Sequence, residues 1–290
     1  MAGVLVIVFF LVRLTGDPAS LLINRDFASP EQMAQMRAAF GLDKPTHLQF
    51  VDYIGKLLSG DFGYSLRFRQ PALDVILSGL PVTVLLASLA LLVAVAVAVP
   101  LGIVGGTSPN SLVDIIARLI GLAGQVTPSF WLALILIWVF AVNLRWLPSF
   151  GVDSARAYIL PALALSVGGM GRLARLARST VLEIRSEDYI RTARSKGLSP
   201  RAIASRHVFR NAALALVSVI GVQFTYALSG SVYIETIFAI PGMGWMLNEA
   251  IRNRDFVLVQ ALTIFIASFA IIMNLVTDIL YAVIDPRIRY

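Results

Sequence analysis

Only two histidines, His47 and His207, and no cysteine are available to this 290-residue chain for metal or nucleophile chemistry. A zinc site or a histidine general base needs several such ligands or partners close together, and without thiols there is no disulfide framework, thiolate nucleophile or thiolate metal site. The phosphate loop GxxxxGK[ST] is absent as well. The nearest string, GKLLSGDFG at 55–63, has the wrong spacing, so the chain has no route to ATP of that kind. What remains is charge. From Arg172 to Arg210 there are ten Lys or Arg against three Asp or Glu, an excess equal to the whole formal net charge of +7. Charge of one sign gathered in one place marks a side or a partner, where a uniformly basic chain would mark general affinity for polyanions.

The elements that position this strip are apolar. The chain is 58% hydrophobic and 14% charged, with a mean hydropathy of +0.80, against about a quarter charged in soluble domains. These values describe a membrane protein. Uncharged runs at Gly79–Gly106, Leu119–Leu144, Asn211–Ile234 and Phe256–Thr277 reach the roughly 20 residues a spanning helix needs. A shorter run from Ala157 continues helically through Arg172, Arg175 and Arg178, whose long side chains are expected to snorkel to the interface. The opening MAGVLVIVFFLV is read as a sixth span, incomplete as it stands and without the leader or cleavage site of a signal peptide. The expectation is an all-α, polytopic chain forming a single transmembrane domain over 1–290. Its spans are near 1–14, 79–106, 115–144, 157–181, 211–234 and 256–282, with kinks at Pro81, Pro100, Pro128 and Pro161.

Basic residues are retained on the cytoplasmic face, so the loop at 182–210 and the C-terminus belong inside. Alternation puts the loops at 15–78 (six basic, seven acidic) and 235–255 (two basic, three acidic) outside. The four uncharged runs contain no Asp, Glu, Lys, Arg or His, the fifth run has none but the arginines above, and Asp278 stands at the inner end of the last span. That weakens a proton- or sodium-coupled secondary carrier, which usually keeps ionisable groups or an unwound segment at mid-membrane.

Within the strip, EDYIRTARSKGLSPRAI at 187–203 has a pattern of its own. Tyr189, Ile190 and Ala193 recur at helical spacing from Glu187 to Lys196, with Arg191 and Arg194 on a neighbouring face. Gly197 suits a left-handed residue past a helix end, and Ser199-Pro200 reads as the cap and first turn of the next helix. A helix, a sharp corner and a second helix therefore lie between two spans. Nucleic-acid binding fits poorly, because Tyr189 and Phe209 are the strip's only aromatics. A topology signal on anionic lipid explains the charge but not the corner; a docking element for a cytoplasmic protein explains both.

These residues resemble the loop signature, E-A-A-x-x-x-G, of the membrane subunits of binding-protein-dependent ABC importers. With Gly197 as its glycine, only Ala193 of the E-A-A triplet is kept. The strings DYIRTARSKGLS and RHVFRN (206–211) are nonetheless similar to the version in the dipeptide, oligopeptide and nickel subgroup. So are LVRLTGDPA (11–19), FGLDKP (40–45), LLSGDFGYSL (57–66), ETIFAIPGMG (235–244) and DILYAVIDPRIR (278–289). Ala215, where the subgroup often has proline, departs from it.

The resemblance implies a six-span permease half of a type I importer in a prokaryotic inner membrane. Its partners would be a second homologous permease, two ABC ATPase subunits and an extracytoplasmic solute-binding protein; nucleic acid is not among them. ATP and Mg would reside on the ATPases, and no cofactor or metal on this chain. Peptides, nickel chelates, glutathione or other small solutes would be the cargo; a secondary carrier and a non-transporting membrane scaffold are the alternatives. The strip would be the coupling helix, with Tyr189, Ile190 and Ala193 buried against an ATPase. Glu187, Asp188, Arg191, Arg194 and Lys196 would supply polar contacts there, and Gly197 the corner. Phe238, Pro241, Met243 and Trp245 would meet the binding protein. The polar groups within spans, Gln125, Thr127, Gln223, Ser229, Ser231 and Asn274, are candidates for the solute path and equally for interhelical hydrogen bonding.

Overall fold

The structure, a computed structural model, describes residues 2–14 and 43–284. The segments LVRLTGDPA and FGLDKP fall partly, and the tail DPRIRY wholly, outside them. The described chain is all-α but for one two-residue hairpin. Its elements are α1 (Ala2–Leu14), α2 (Thr46–Leu58), β1 (Tyr64–Ser65), β2 (Gln70–Pro71), α3 (Ala72–Thr107), α4 (Leu112–Val126) and α5 (Ser129–Leu136, continued as a π-helix over Ile137–Asn143). A 3-10 turn at Ala155–Tyr158 leads into α6 (Ile159–Ser186). Then follow α7 (Asp188–Ser195), α8 (Pro200–Ile203), a π-helical passage Ala204–Phe209, α9 (Arg210–Ile237), α10 (Met243–Arg252) and α11 (Phe256–Ile284). In the hairpin Tyr64 pairs with Pro71 and Ser65 with Gln70, antiparallel.

Among the described residues, three helices are long and apolar enough to cross a membrane: Ala72–Thr107, Ala155–Ser186 and Phe256–Ile279. At 1.5 Å per residue α3 is about 54 Å long and α9 about 42 Å, both beyond the roughly 30 Å hydrocarbon core. The single span expected over 115–144 is corrected. It is two helices, α4 and α5, bent by 105° at their junction. Pro128 is responsible: it supplies no N–H and keeps Thr127 out of the helical region, where φ −83° and ψ 114° place it in extended backbone. Of the loop expected over 15–78, the described residues 43–78 hold α2, the hairpin and the first turns of α3.

The chain divides into two compact units, Met1–Pro81 with Trp245–Phe269, and Val82–Gly244 with Ala270–Tyr290. In the first, Phe9 of α1 is fully buried and meets Phe50 edge-on at 5.0 Å and Tyr53 at 5.5 Å. The motif LLSGDFGYSL closes onto the start of α11. Buried Asp255 caps that helix, accepting from Leu258 N at 3.1 Å, from Ser65 Oγ at 2.6 Å and from Arg67 N at 3.0 Å. Gly63 lies so near Val257 that a Cβ there would sit 2.5 Å from a valine methyl.

In the second unit, α6 is the central helix, packed on α4, α5 and α9. Lipid offers helices no hydrophobic drive toward one another, so close approach by small residues carries the packing. A Cβ on Gly124 would stand 2.4 Å from Val167 O, and one on Gly102 would stand 2.6 Å from Ala174 O. Leu86, Ala133, Leu160, Leu165, Ile234 and Phe238 fill the core between these helices.

Candidate functional site

The basic strip folds as its spacing predicts. Glu187 stands at the N-cap and Lys196 at the C-cap of α7. Gly197 has φ +79°, its N–H donates to Arg194 O at 2.9 Å, and Leu198 N–H donates to Ala193 O at 3.3 Å. This pair of bonds is the Schellman closure that a left-handed glycine permits. Ser199 Oγ then accepts from Ala202 N at 3.3 Å, capping α8.

The expectation about the apolar face of α7 is corrected. Ile190 is fully buried and Ala193 nearly so, but against this chain itself: Val181 of α6, Ile203, Val208 and Ala212, with Ile103, Ile184 and Leu198 around them. No surface of Ile190 remains for a partner. The physical reason is that a short helix lying on a bundle must bury its own apolar stripe to stay there. Tyr189 is 42% exposed. Asn211 Nδ2 donates to its hydroxyl at 3.1 Å and to His207 O at 2.8 Å, and the Tyr189 and His207 rings lie 6.4 Å apart. The string RHVFRN thus clamps α7 to the start of α9. Glu187, Asp188, Arg191, Arg194, Lys196 and Gly197 are exposed, and Arg191 pairs with Asp188 at 3.6 Å. The free face of α7 is therefore charged, and its apolar face is a weld to α3, α6 and α9.

Near that weld lies a buried charge the sequence did not signal. Asp114, 0% exposed, takes both arms of the Arg178 guanidinium: Nε donates to Oδ1, and Nη2 to Oδ2 at 3.1 Å. Arg118 stands 3.6 Å away, and Asn110 N donates to Oδ2 at 2.9 Å. Arg185 Nη1 donates to Gly106 O at 2.8 Å. Neither arginine is idle at the interface: Arg178 ties α4 to α6, and Arg185 ties the end of α3 to α6. An acid at the first turn of a helix, 64 residues from its arginine, leaves no spacing to read.

The polar residues of the spans separate. Thr127 and Gln223 line one cleft of about 170 Å³, together with Ser129, Ser166, Arg172 and Tyr226. Ser229 and Ser231 donate to carbonyls of their own helix, and Asn274 Oδ1 accepts from Thr225 at 3.0 Å, joining α9 to α11. Gln125 is exposed outside the cleft. The binding-protein candidates separate too. Phe238 and Met243 are 1% and 2% exposed, in the chain's own interior, so their expected contact is corrected; Pro241 and Trp245 are half-buried, Trp245 edge-on to Phe68 at 6.4 Å. The motif ETIFAIPGMG serves a turn. Glu235 accepts from Gly244 N at 2.7 Å, Thr83 Oγ1 accepts from Met243 N at 2.8 Å, and a Cβ on Gly242 would come within 2.5 Å of the Glu235 carboxyl carbon.

Residues 98–290 match the family described as the binding-protein-dependent transport system inner membrane component, and residues 1–87 match the N-terminal region of such membrane components. A Brucella abortus protein named as a peptide transport system permease is 41% identical over 299 residues, covering 100% of this chain and 95% of its own. A glutathione transport system permease of Salmonella choleraesuis is 38% identical over 288 residues, covering 99% and 94%. In fold, the chain is similar to an inward-facing MetNI methionine ABC transporter structure (TM-score 0.57, 17% identity, 73% of this chain and 97% of that one). It is similar also to an amino acid ABC transporter crystallised with histidines (TM-score 0.56, 20% identity, 74% and 94%).

Proposed function

The chain belongs to the family of binding-protein-dependent transport system inner membrane components, and from that premise we propose how it works: as the peptide-translocating half of an importer driven through α7. It is a multi-pass inner-membrane permease subunit of an ABC importer, a transport subunit working with ATPase and binding-protein partners. The relatives named for peptide and for glutathione transport favour short peptides as cargo. In this reading it pairs with a second homologous permease, two ATPase subunits carry the ATP and Mg, and the binding protein delivers solute from the outer side. Residues 182–210 and the C-terminus lie in the cytoplasm. Six crossings are completed by α1, by the bent pair α4–α5 and by α9.

The observation that carries the coupling role is the two-sided character of α7. Its apolar side is anchored to the ends of the long helices through Ile190, Ala193, Val181, Val208 and Ala212, while Arg191, Arg194 and Lys196 project outward. A helix so anchored transmits a rigid-body displacement of an ATPase to the bundle, and the two arrangements of the bundle are selected by nucleotide. A double charge reversal, Arg191→Glu with Arg194→Glu, tests it in the reconstituted complex. Both positions are exposed, so the fold is expected to hold within about 0.5 kcal/mol, while the ATPase subunits separate on size exclusion and uptake is lost. A variant complex that keeps its ATPases and still couples hydrolysis to uptake removes α7 from this role.

A further inference from the structure

The cleft beside Thr127 and Gln223 contains a cation that the sequence places only as an interfacial arginine. Arg172 is the fourteenth of 28 residues in α6, and Gln223 the fourteenth of 28 in α9. They meet half-way along both helices, where Arg172 Nε donates to Gln223 Oε1 at 2.9 Å and the guanidinium carbon lies 4.7 Å over the Tyr226 ring. The side chain therefore does not run along α6 toward its end. It is held across the cleft by a hydrogen bond and a cation–π contact, with Ser129, Ser166 and Thr127 on the same walls. Among the described residues no carboxylate pairs with it, in contrast to Arg178 with Asp114, and Nη1 and Nη2 keep their hydrogen-bonding capacity. A charge without a counter-ion midway along membrane-crossing helices is expensive, and such residues commonly face water-filled cavities and mark solute paths; Arg172 remains exposed to the cleft. With Nε committed to Gln223, the two terminal nitrogens still present the planar end of the fork, which matches the two oxygens of a carboxylate.

We propose that Arg172, positioned by Gln223 and Tyr226, is a carboxylate subsite on the solute path, taking the C-terminal carboxylate of a short peptide as it crosses. The inference rests on the importer reading and adds to it a point of recognition within the permease itself. A volume of about 170 Å³ holds one end of such a peptide, since sites enclosing whole ligands run from about 300 Å³ upward. Binding must be reversible for passage, and one charge-assisted contact meets that need better than a ring of them.

The test uses the assembled importer, with its ATPases and partner permease, in phosphatidylcholine nanodiscs without the binding protein. The probes are radiolabelled tri-alanine and tri-alanine amide, which differ only in the carboxylate. The acid is expected to bind about tenfold more tightly than the amide, as one charge-assisted bidentate contact implies. Arg172→Gln is expected to abolish that difference and Arg172→Lys to retain part of it, because charge survives while the fork does not. Equal binding of acid and amide by the wild type, or binding of neither, overturns the subsite, and this comparison needs no variant to fold. Phosphatidylglycerol supplies the other anionic source. If it occupies the site in an Arg172-dependent manner and excludes tri-alanine, the site belongs to lipid headgroups and the proposal falls. ATP-driven uptake by the same complex in sealed proteoliposomes, with the binding protein present, separates the two levels: uptake without acid–amide discrimination defeats the subsite alone, whereas no uptake of any peptide defeats the importer reading beneath it.

Discussion

Gly197 and Ile190 are seven residues apart and show two kinds of necessity. At Gly197 the requirement is local. A φ of +79° costs a residue with a Cβ about 1–2 kcal/mol, while asparagine tolerates the left-handed region better. Since nothing lies within 4 Å of a Cβ built there, strain alone should decide. Gly197→Val is expected to lower the thermal unfolding midpoint more than Gly197→Asn, and to raise the ATP hydrolysed per solute imported as the corner loosens. At Ile190 the requirement is tertiary. Truncation to alanine removes a fully buried side chain and should cost about 2–5 kcal/mol, read as a lower unfolding midpoint, whereas Tyr189→Phe loses only the Asn211 bond, about 1 kcal/mol. Gly197 was legible because its conformation is set by its own backbone. The burial of Ile190 was legible as an apolar stripe, but not the surface it faces, since a spacing of three and four states that a face exists and is silent about what covers it.

Elements pose the same question at longer range. The PGMG turn depends on Glu235 and Thr83 receiving two backbone N–H groups, and Gly242 is obligatory because Glu235 occupies the space of its missing side chain. Gly242→Ala should destabilise by about 1–3 kcal/mol through overpacking, measurable as a lower unfolding midpoint. Relief by a second change, Glu235→Gly, would not be expected, because it strands the Gly244 N–H. The α4–α6 junction turns on a buried ion pair. Removing one partner of such a pair costs about 3–5 kcal/mol, so Arg178→Met, which leaves Asp114 fully buried with Arg118 at 3.6 Å as the remaining counter-charge, should be more damaging than Arg118→Met. Comparison of their unfolding midpoints checks the order. The position of Pro128 was legible as a kink; that the kink reaches 105° was not, because proline removes a hydrogen bond and a helical neighbour without dictating the direction the chain takes next.

For the whole molecule, the absence of cysteine makes the proposed orientation measurable. Single cysteines at Ser195 and at Asn253, both exposed, should react with a membrane-impermeant maleimide from opposite sides, Ser195→Cys in inverted vesicles and Asn253→Cys in spheroplasts. Labelling of both from one side refutes the arrangement. By itself the sequence determined the class of protein and the helix-corner-helix of the strip, because hydropathy, helical period and left-handed glycine are properties of neighbours along the chain. The tertiary structure alone decided that α7 turns its apolar stripe to its own bundle, that Phe238 and Met243 lie inside, that Asp114 meets Arg178, and that Arg172 crosses to Gln223. Each of these joins residues from different helices, and such pairings arise only when packed backbones bring the partners within reach and leave no cheaper place for the charge or the apolar surface to go.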